Sequence, residues 1–310
     1  MKILVTGAAG FLGSHLSLLL LKNGHEVLGL DDLSTGSLSN LEKPLKSKSF
    51  QFINQDVRLP FNEKVDAILN FACPASPKNY QIDPVRTIET NFLGVLNMLH
   101  LARACNAKFI QASTSEVYGD PTVTPQNEEY WGNVNPIGIR SCYDEGKRAA
   151  ETLCFDYLRQ YELDIRVIRI FNTYGPNMSI DDGRVVSNFI VQALRGADIT
   201  IYGEGNQTRS FCYVDDLVDA IYKLLMLPIN PKKPINLGNP REFSIIKLAS
   251  LVLDLTSSNS KIVHRELPKD DPQQRKPDIS NAIKYLNWTP RVTLESGLSN
   301  TVNYFEKIII

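Results

Sequence analysis

Short, continuous apolar runs alternate with longer helical stretches through the first half of the chain. Lys2–Thr6, Glu26–Leu30, Phe50–Ile53, Ala67–Phe71, Lys108–Ala112 and Ile165–Ile170 are the runs. Strands that are apolar on both faces belong to parallel sheets covered by helices on both sides. Between them lie the helical patterns Ser14–Lys22, Pro84–Cys105 and Tyr143–Tyr161. Repeated strand–helix units predict an α/β fold around a doubly wound parallel sheet. From Gly175 the rhythm breaks. Arg184–Arg195 reads as a helix, Asp198–Tyr202 as a short strand and Gly203–Gly205 as a loop. Val214–Met226 is a helix, Ile235–Leu237 a buried strand able to rejoin the sheet, and two helices close the chain. This predicts two interleaved units. Residues 1–174 with about 211–242 form the sheet domain, and 175–210 with about 243–310 form a smaller C-terminal α/β substrate domain.

The first strand runs into Gly7–Ala8–Ala9–Gly10–Phe11–Leu12–Gly13, then a helix, and the second strand ends at Asp31–Asp32. Strand, glycine turn, helix, strand and acid is the context a dinucleotide fingerprint requires. Gly7, Gly10 and Gly13 let the backbone approach a pyrophosphate, and the helix N-terminus offers unpaired N–H donors. Asp31, 18 residues beyond Gly13, is placed to accept from an adenosine ribose. A carboxylate there repels a 2′-phosphate, so NAD is expected over NADP, on a Rossmann sheet.

A second constellation follows the fifth run. Thr114–Ser115–Glu116 ends that strand, and Tyr143 and Lys147 stand at i and i+4 on the next helix. Residues at that spacing share a helix face. A phenol beside an ammonium is a plausible general base, although its pKa near 10 must fall to about 7, roughly 4 kcal/mol. Lys147 and a positively charged nicotinamide could supply that together. Gly7, Asp31, Asp56, Ala72, Thr114 and Asn172 all fall at predicted strand ends. Parallel sheets bind ligands there, so one continuous site is expected.

Composition narrows the classes further. The 310 residues are 43% hydrophobic and 22% charged, with 33 basic against 34 acidic residues, so nothing points to nucleic acid or a membrane surface. The run Leu16–Leu21 is far too short to span a bilayer and follows no basic leader, so a cytoplasmic protein is expected. Five cysteines without a CxxC pair and four scattered histidines argue against a disulfide framework and a metal site.

Several longer motifs resemble the extended short-chain dehydrogenase/reductase family, above all those members that decarboxylate UDP-glucuronate. They are Pro74–Ala75–Ser76–Pro77, Ser113 to Pro121, Tyr130 to Gly138, Cys142 to Arg148, Ile170 to Pro176, Asp182 to Ile190, Gln207 to Phe211 and Asp271 to Asp278. The resemblance covers nearly the whole chain. It implies oxidation of the sugar at C4, with Tyr143 taking the hydroxyl proton, Thr114 bonding the same hydroxyl and NAD taking the hydride. The 4-ketone is β to the C5 carboxylate, so the electrons left by departing CO₂ delocalise into an enolate. Protonation at C5 and re-reduction at C4 then give UDP-xylose. The implied catalytic set is Thr114, Ser115, Glu116, Tyr143, Lys147 and Arg209. Beside the glycines and Asp31, the implied cofactor contacts are Phe11, Leu12, Asp32, Thr35, Gly36, Asp56, Val57, Ala72, Thr90, Tyr143, Lys147, Thr173 and Arg184. The implied substrate contacts are Asn97, Arg103, Tyr157, Asn172, Val185, Tyr202, Gln207, Arg209 and Arg275, with Arg184 and Arg275 similar to the family's nucleotide-contacting arginines. A homodimer is implied through the helices Pro84–Cys105 and Tyr143–Tyr161, with Leu96, Leu99, Leu153 and Tyr157 on the exposed faces. Animal members carry a membrane anchor that this sequence lacks, which implies a soluble form.

Ser115 carries the choice of reaction. Dehydratases of the family usually have aspartate there, to protonate a departing hydroxyl; serine is a poor proton donor, and decarboxylation expels no hydroxyl. Arg209 is expected to offset the charge of Glu116 and to orient the substrate carboxylate. Two departures from the family stand out: Glu89, where a basic residue is common, and Asn70–Cys73, in place of a histidine-led strand end. The other readings are a 4,6-dehydratase or 4-epimerase of nucleotide sugars, and a non-catalytic NAD-binding sensor. A sensor has no need of the Tyr143–Lys147 pair.

Overall fold

In the computed structural model, which describes residues 1–266 and 275–309, seven strands lie side by side. They are β1 (Lys2–Thr6), β2 (Glu26–Asp31), β3 (Phe50–Asn54), β4 (Ala67–Asn70), β5 (Lys108–Thr114), β6 (Ile165–Ile170) and β7 (Ile235–Leu237). The order is β3–β2–β1–β4–β5–β6–β7 and every neighbouring pair is parallel. The sequence order reverses between β1 and β4, and the glycine turn leaves β1 at that point. Successive side chains of a strand face opposite sides. Ile3 and Val5 accordingly enter one buried cluster and Leu4 the other, and Ile110 and Phe109 divide in the same way. This is why the strands read as unbroken apolar runs.

Among the described residues there are nine helices of six residues or more: α1 (Phe11–Lys22), α2 (Pro84–Glu89), α3 (Val95–Cys105), α4 (Ser141–Tyr161), α5 (Val185–Leu194), α6 (Val214–Met226), α7 (Ile245–Thr256), α8 (Ser280–Leu286) and α9 (Leu294–Ile309). Val95, Met98 and Leu99 of α3 pack with Ala150 and Cys154 of α4 on one face. On the other, Leu16 and Leu20 of α1 join Leu217 and Ile221 of α6 in a cluster that runs on to Phe189, Leu248 and Phe305. Burial of a large aliphatic or aromatic side chain contributes about 1.5–3 kcal/mol, so these faces decide where the helices sit. None of the described helices is long and apolar enough to cross a membrane.

The structure departs from the sequence reading in three places. The helix expected over Pro84–Cys105 runs its full length, but its middle, Thr90–Gly94, widens into a π turn. That wider turn presses on α4: a Cβ on Gly146 would lie 3.0 Å from the Asn91 side chain. The helix α7 and the pairing of three short strand pairs lie outside the sequence reading, which has only the strand at Asp198–Tyr202, because strands as brief as Thr208–Ser210 carry no measurable period. Leu99 is fully buried, so it cannot belong to the exposed helix face assigned to it.

Gly13 marks the tightest point of the β1–α1 turn. A Cβ there would stand 2.0 Å from the Gly7 carbonyl oxygen, and Gly7 itself has φ +69°. Gly13→Ala is therefore expected to destabilise the fold by about 1–3 kcal/mol, as overpacking does, and to weaken NAD binding. Urea unfolding and NAD titration would check this; an unchanged midpoint would remove the steric argument.

Candidate active site

The carboxyl ends of the strands open into one cleft of about 1170 Å³. The glycine turn, Asp31, Asp32, Thr35, Val57, Ala72 and Thr90 line one end. Thr114, Ser115, Glu116, Tyr143 and Lys147 line the middle. Asn172, Thr173, Arg184, Val185, Tyr202, Gln207, Arg209 and Arg275 line the rest, so strand ends and C-terminal segments share one space.

Five expected residues do not line it. Gly36 packs behind Asp31, where a Cβ would sit 3.0 Å from Asp31 Oδ1. Asp56 binds Arg58, with Arg58 Nη2 donating at 2.8 Å, and Arg58 also pairs with Glu89. The departure at Glu89 is thus an ion pair beside the cofactor end. Asn97 donates to the Arg58 carbonyl at 2.7 Å. The Arg103 guanidinium lies 3.9 Å over the Tyr161 ring, which also packs edge-on against Tyr157 at 5.0 Å. A helix rises 1.5 Å per residue, so Tyr157 stands roughly 20 Å along α4 from Tyr143. Tyr157 and Arg103 are therefore displaced from the cleft along the helices that carry them, whereas Asn97, the third residue of α3, is taken up by the Val57 and Arg58 carbonyls behind the cleft wall.

At the cofactor end, Asp31 Oδ2 accepts from the Ala9 N–H at 2.9 Å and Oδ1 from the Leu33 N–H at 2.8 Å. Burial raises its carboxyl pKa against these bonds. Each oxygen keeps a further lone pair for a ribose hydroxyl. The close Gly7–Gly13 approach, the N-terminus of α1 and this carboxylate fit a dinucleotide. Beneath them, Thr6 Oγ1 donates to Asn70 Oδ1 at 2.6 Å, and Asn70 Nδ2 to Gln111 Oε1 at 2.9 Å. Asn70, in the departing strand end, thus ties β1, β4 and β5 together.

In the middle, Thr114 Oγ1 accepts from the Glu116 N–H at 3.2 Å and caps the 3₁₀ turn Ser115–Tyr118. Tyr143 is 7% exposed, and its ring stacks on Tyr80 at 5.1 Å and 6°. Lys147 Nζ donates to the Ala112 carbonyl at 3.0 Å and stands 5.7 Å from the Tyr143 ring centre. The lowered pKa expected for Tyr143 does not arise from the polypeptide itself. Burial pushes the phenol up, and a hydrogen bond with Thr114 opposes that only in part.

Glu116 has different partners from those expected. Its Oε2 accepts from Arg140 and, at 2.7 Å, from Arg275 Nη2, while Arg275 Nη1 donates to the Ser115 carbonyl at 2.6 Å. Arg275 is 3% exposed and lines the cleft beside Ser115 and Glu116. Arg209 lines the same cleft and donates to the Thr208 carbonyl at 3.0 Å. Gln126 fixes this arrangement. Its N–H donates to the Lys276 carbonyl, its Oε1 accepts from the Lys276 N–H and its carbonyl accepts from the Asp278 N–H, each at 2.8 Å. The part of the Asp271–Asp278 motif before Arg275 lies outside the described residues.

The sequence reading passed over Tyr80, Arg140 and Asp144. Arg140 precedes Tyr143 by three residues, a spacing that signals a shared helix face. Tyr80 follows the Pro74–Pro77 motif by three residues, which is a weak signal. Asp144 is 9% exposed, and its carboxyl is pushed up to about 7, chiefly by burial and next by Glu116.

The model of the NAD dependent epimerase/dehydratase family matches residues 3–238. The chain is 55% identical over 299 residues to UDP-glucuronic acid decarboxylase 3 of Arabidopsis thaliana, covering 96% of this chain and 87% of that one. It is 52% identical to UDP-glucuronic acid decarboxylase 1 of Xenopus tropicalis, covering 99% and 72%. Among solved structures, the UDP-glucuronic acid 4-epimerase of Bacillus cereus, in complex with UDP-glucuronic acid and NAD, superposes with a TM-score of 0.90. Its identity is 29%, over 99% of this chain and all of that one. The UDP-glucose 4-epimerase of Thermotoga maritima gives 0.90 at 30% identity, over the full length of both.

Asp144 makes a stability prediction. An acid whose pKa is raised on folding imposes a cost that is absent well below its unfolded pKa near 4. The cost grows as the pH rises towards 7 and is constant above. Asp144→Asn removes that cost, at most about 4 kcal/mol. Urea midpoints of wild type and variant should diverge in the variant's favour between pH 4 and 7, then run parallel to pH 8.5. A difference independent of pH would contradict this.

Proposed function

The chain belongs to the NAD dependent epimerase/dehydratase family, and from that premise we infer that it is an NAD-dependent decarboxylase converting UDP-glucuronate to UDP-xylose. The observation that carries this reading is Ser115–Glu116 at the end of β5, with Arg140 and Arg275 on the Glu116 carboxylate and Tyr143 alongside. Two guanidinium groups on the wall next to the acid/base suit a substrate that carries a carboxylate one carbon from the oxidation site. Arginine binds carboxylates through paired N–H donors.

In our assignment Tyr143 takes the C4 hydroxyl proton, Thr114 bonds that hydroxyl and Lys147 favours the phenolate. When bound, NAD supplies the hydride acceptor at C4 and a positive ring charge near Tyr143. Arg140 and Arg275 hold the substrate carboxylate across the plane of the ketone, where the breaking C–C bond overlaps the carbonyl. The bond electrons pass into the 4-enolate as CO₂ leaves, and C5 then takes a proton. Glu116, held by both arginines, is our candidate to manage that proton. Arg209, Tyr202 and Gln207 line the outer cleft and are assigned to the nucleotide diphosphate side. We assign the cofactor to residues 1–174 with about 211–242, and the sugar nucleotide to 175–210 with about 243–310. Gly7 and Arg209, on opposite sides of that division, line the same cleft.

A 4-epimerase shares the acid/base pair but keeps every carbon. The deciding experiment is incubation of purified protein with UDP-glucuronate. Release of CO₂ and UDP-xylose is expected, whereas UDP-galacturonate would install the epimerase reading and no change the sensor. Tyr143→Phe is expected to slow C4 oxidation by about 10²–10⁴-fold with UDP binding retained, because only an ionisable oxygen is lost. NADH absorbance in a single turnover reads this, and a normal rate would remove Tyr143 from the mechanism.

We also propose a homodimer through α3 and α4. Leu96, Leu153 and Tyr157 are half-buried on these helices, and Phe92 and Leu93 are exposed on the adjoining turn. Light scattering at micromolar concentration should give twice the 34.8 kDa chain mass, and a monomer mass would overturn it.

A further inference from the structure

Asp144 follows the proposed base on α4, yet nothing in the mechanism above employs it. Its side chain is 9% exposed, and its Oδ1 is buried with no hydrogen-bond partner. The titratable and charged groups around it come from four segments. Arg140, Cys142, Tyr143 and Glu145 face it from its own helix and cap, Glu116 from the turn after β5, Tyr80 from the helical turn Pro77–Tyr80, and Arg275 from the segment before α8. The Tyr80 hydroxyl is also buried without a partner. Both arginines direct N–H groups at Glu116, and Arg275 uses its other nitrogen on the Ser115 carbonyl. The wall therefore holds two carboxyl groups, of which one takes the direct ion pairs and the other lies close behind it.

A substrate carboxylate arriving at Arg140 and Arg275 is a third acid on the same wall. Its diphosphate engages the further cation, Arg209. Like charges crowded in a poorly solvated site cannot all stay ionised, and coupled carboxyls then bind protons as a pair. We propose that Asp144 is a positioning residue that couples arrival of the anionic substrate to uptake of a proton on its own carboxyl, behind the ion-paired Glu116. Decarboxylation consumes one proton overall: the C5–carboxylate bond breaks, its electrons enter the ring and C5 acquires hydrogen. Uptake on binding brings that proton into the cleft before CO₂ departs. The proposal rests on the decarboxylase reading.

The test is isothermal titration of the NAD-loaded Tyr143→Phe protein in two buffers of different ionisation enthalpy, between pH 6 and 8.5. Roughly half to one proton should be taken up per UDP-glucuronate near pH 7.5, and close to none with UDP-xylose, which lacks the carboxylate. Adding Asp144→Asn should remove most of that uptake while UDP-glucuronate still binds. Asp144→Glu, which keeps a titrating group, should retain it. Equal uptake with the two ligands, or unchanged uptake in the Asn variant, would overturn the proposal. The ligand comparison stands even if the Asn variant does not fold. As a catalytic readout, Asp144→Asn with Tyr143 intact should shift the alkaline limb of kcat/KM, where a purely structural loss lowers the profile without moving it. Failure of the decarboxylase reading is separately visible, as wild-type protein that releases no CO₂ from UDP-glucuronate.

Discussion

The ion pair between Glu116 and Arg275 joins two ends of the molecule. Glu116 sits on the turn after a central strand, and Arg275 arrives 159 residues later in the C-terminal part. The contact is nearly dry, with side chains 16% and 4% exposed. Buried pairs of this kind are poor sources of net stability, because desolvation cancels much of the attraction. Their effect is on geometry: removing either partner strands a charge, so the two segments stay registered. Gln126 makes the same point with backbone bonds, holding Lys276 and Asp278 from a loop that leaves the Ser115 turn. The C-terminal segment is thereby a wall of the site and not merely a cover over it.

That constraint explains the unequal legibility of the sequence. Strands buried on both faces leave a direct record in apolar runs, and the sheet follows from them. The β1–α1 turn is equally local, since its glycines, helix and Asp31 lie within one unit of chain. Tyr143 and Lys147 are legible because helical spacing is a local rule. The partners of Glu116 were not, because no pattern announces which arginine a fold brings to a strand end. The sequence reading points to Arg209, and packing makes Arg275 the direct partner beside Arg140.

The same limit accounts for the misplaced residues. Arg103 and Tyr157 lie on the helices that carry the site, but well down their axes. Membership of an element is legible from periodicity; depth along it, relative to the cleft, is a matter of rise per residue and of the direction in which the helix crosses the sheet. Leu99 is buried for a related reason. Position on a helix gives a face, and only the neighbours decide whether that face meets solvent or sheet.

The electrostatics of the cleft divide between its two ends. Around Asp31, backbone N–H groups carry the charge, so the carboxylate is compatible with a cofactor whose ribose donates hydrogen bonds. Around Glu116, guanidinium groups carry it, and two acids share the result. Tyr143 lies between, in a setting that on its own favours the neutral phenol. On the function proposed above, this phenol serves as a base only when the positive charge of the bound cofactor adds to that of Lys147, so oxidation is tied to cofactor occupancy. Decarboxylation is in turn tied to the ketone that oxidation creates. The order of the steps thus follows from where the charges stand, because neither the acid/base nor the carboxylate wall can act on the sugar before the other components are in place.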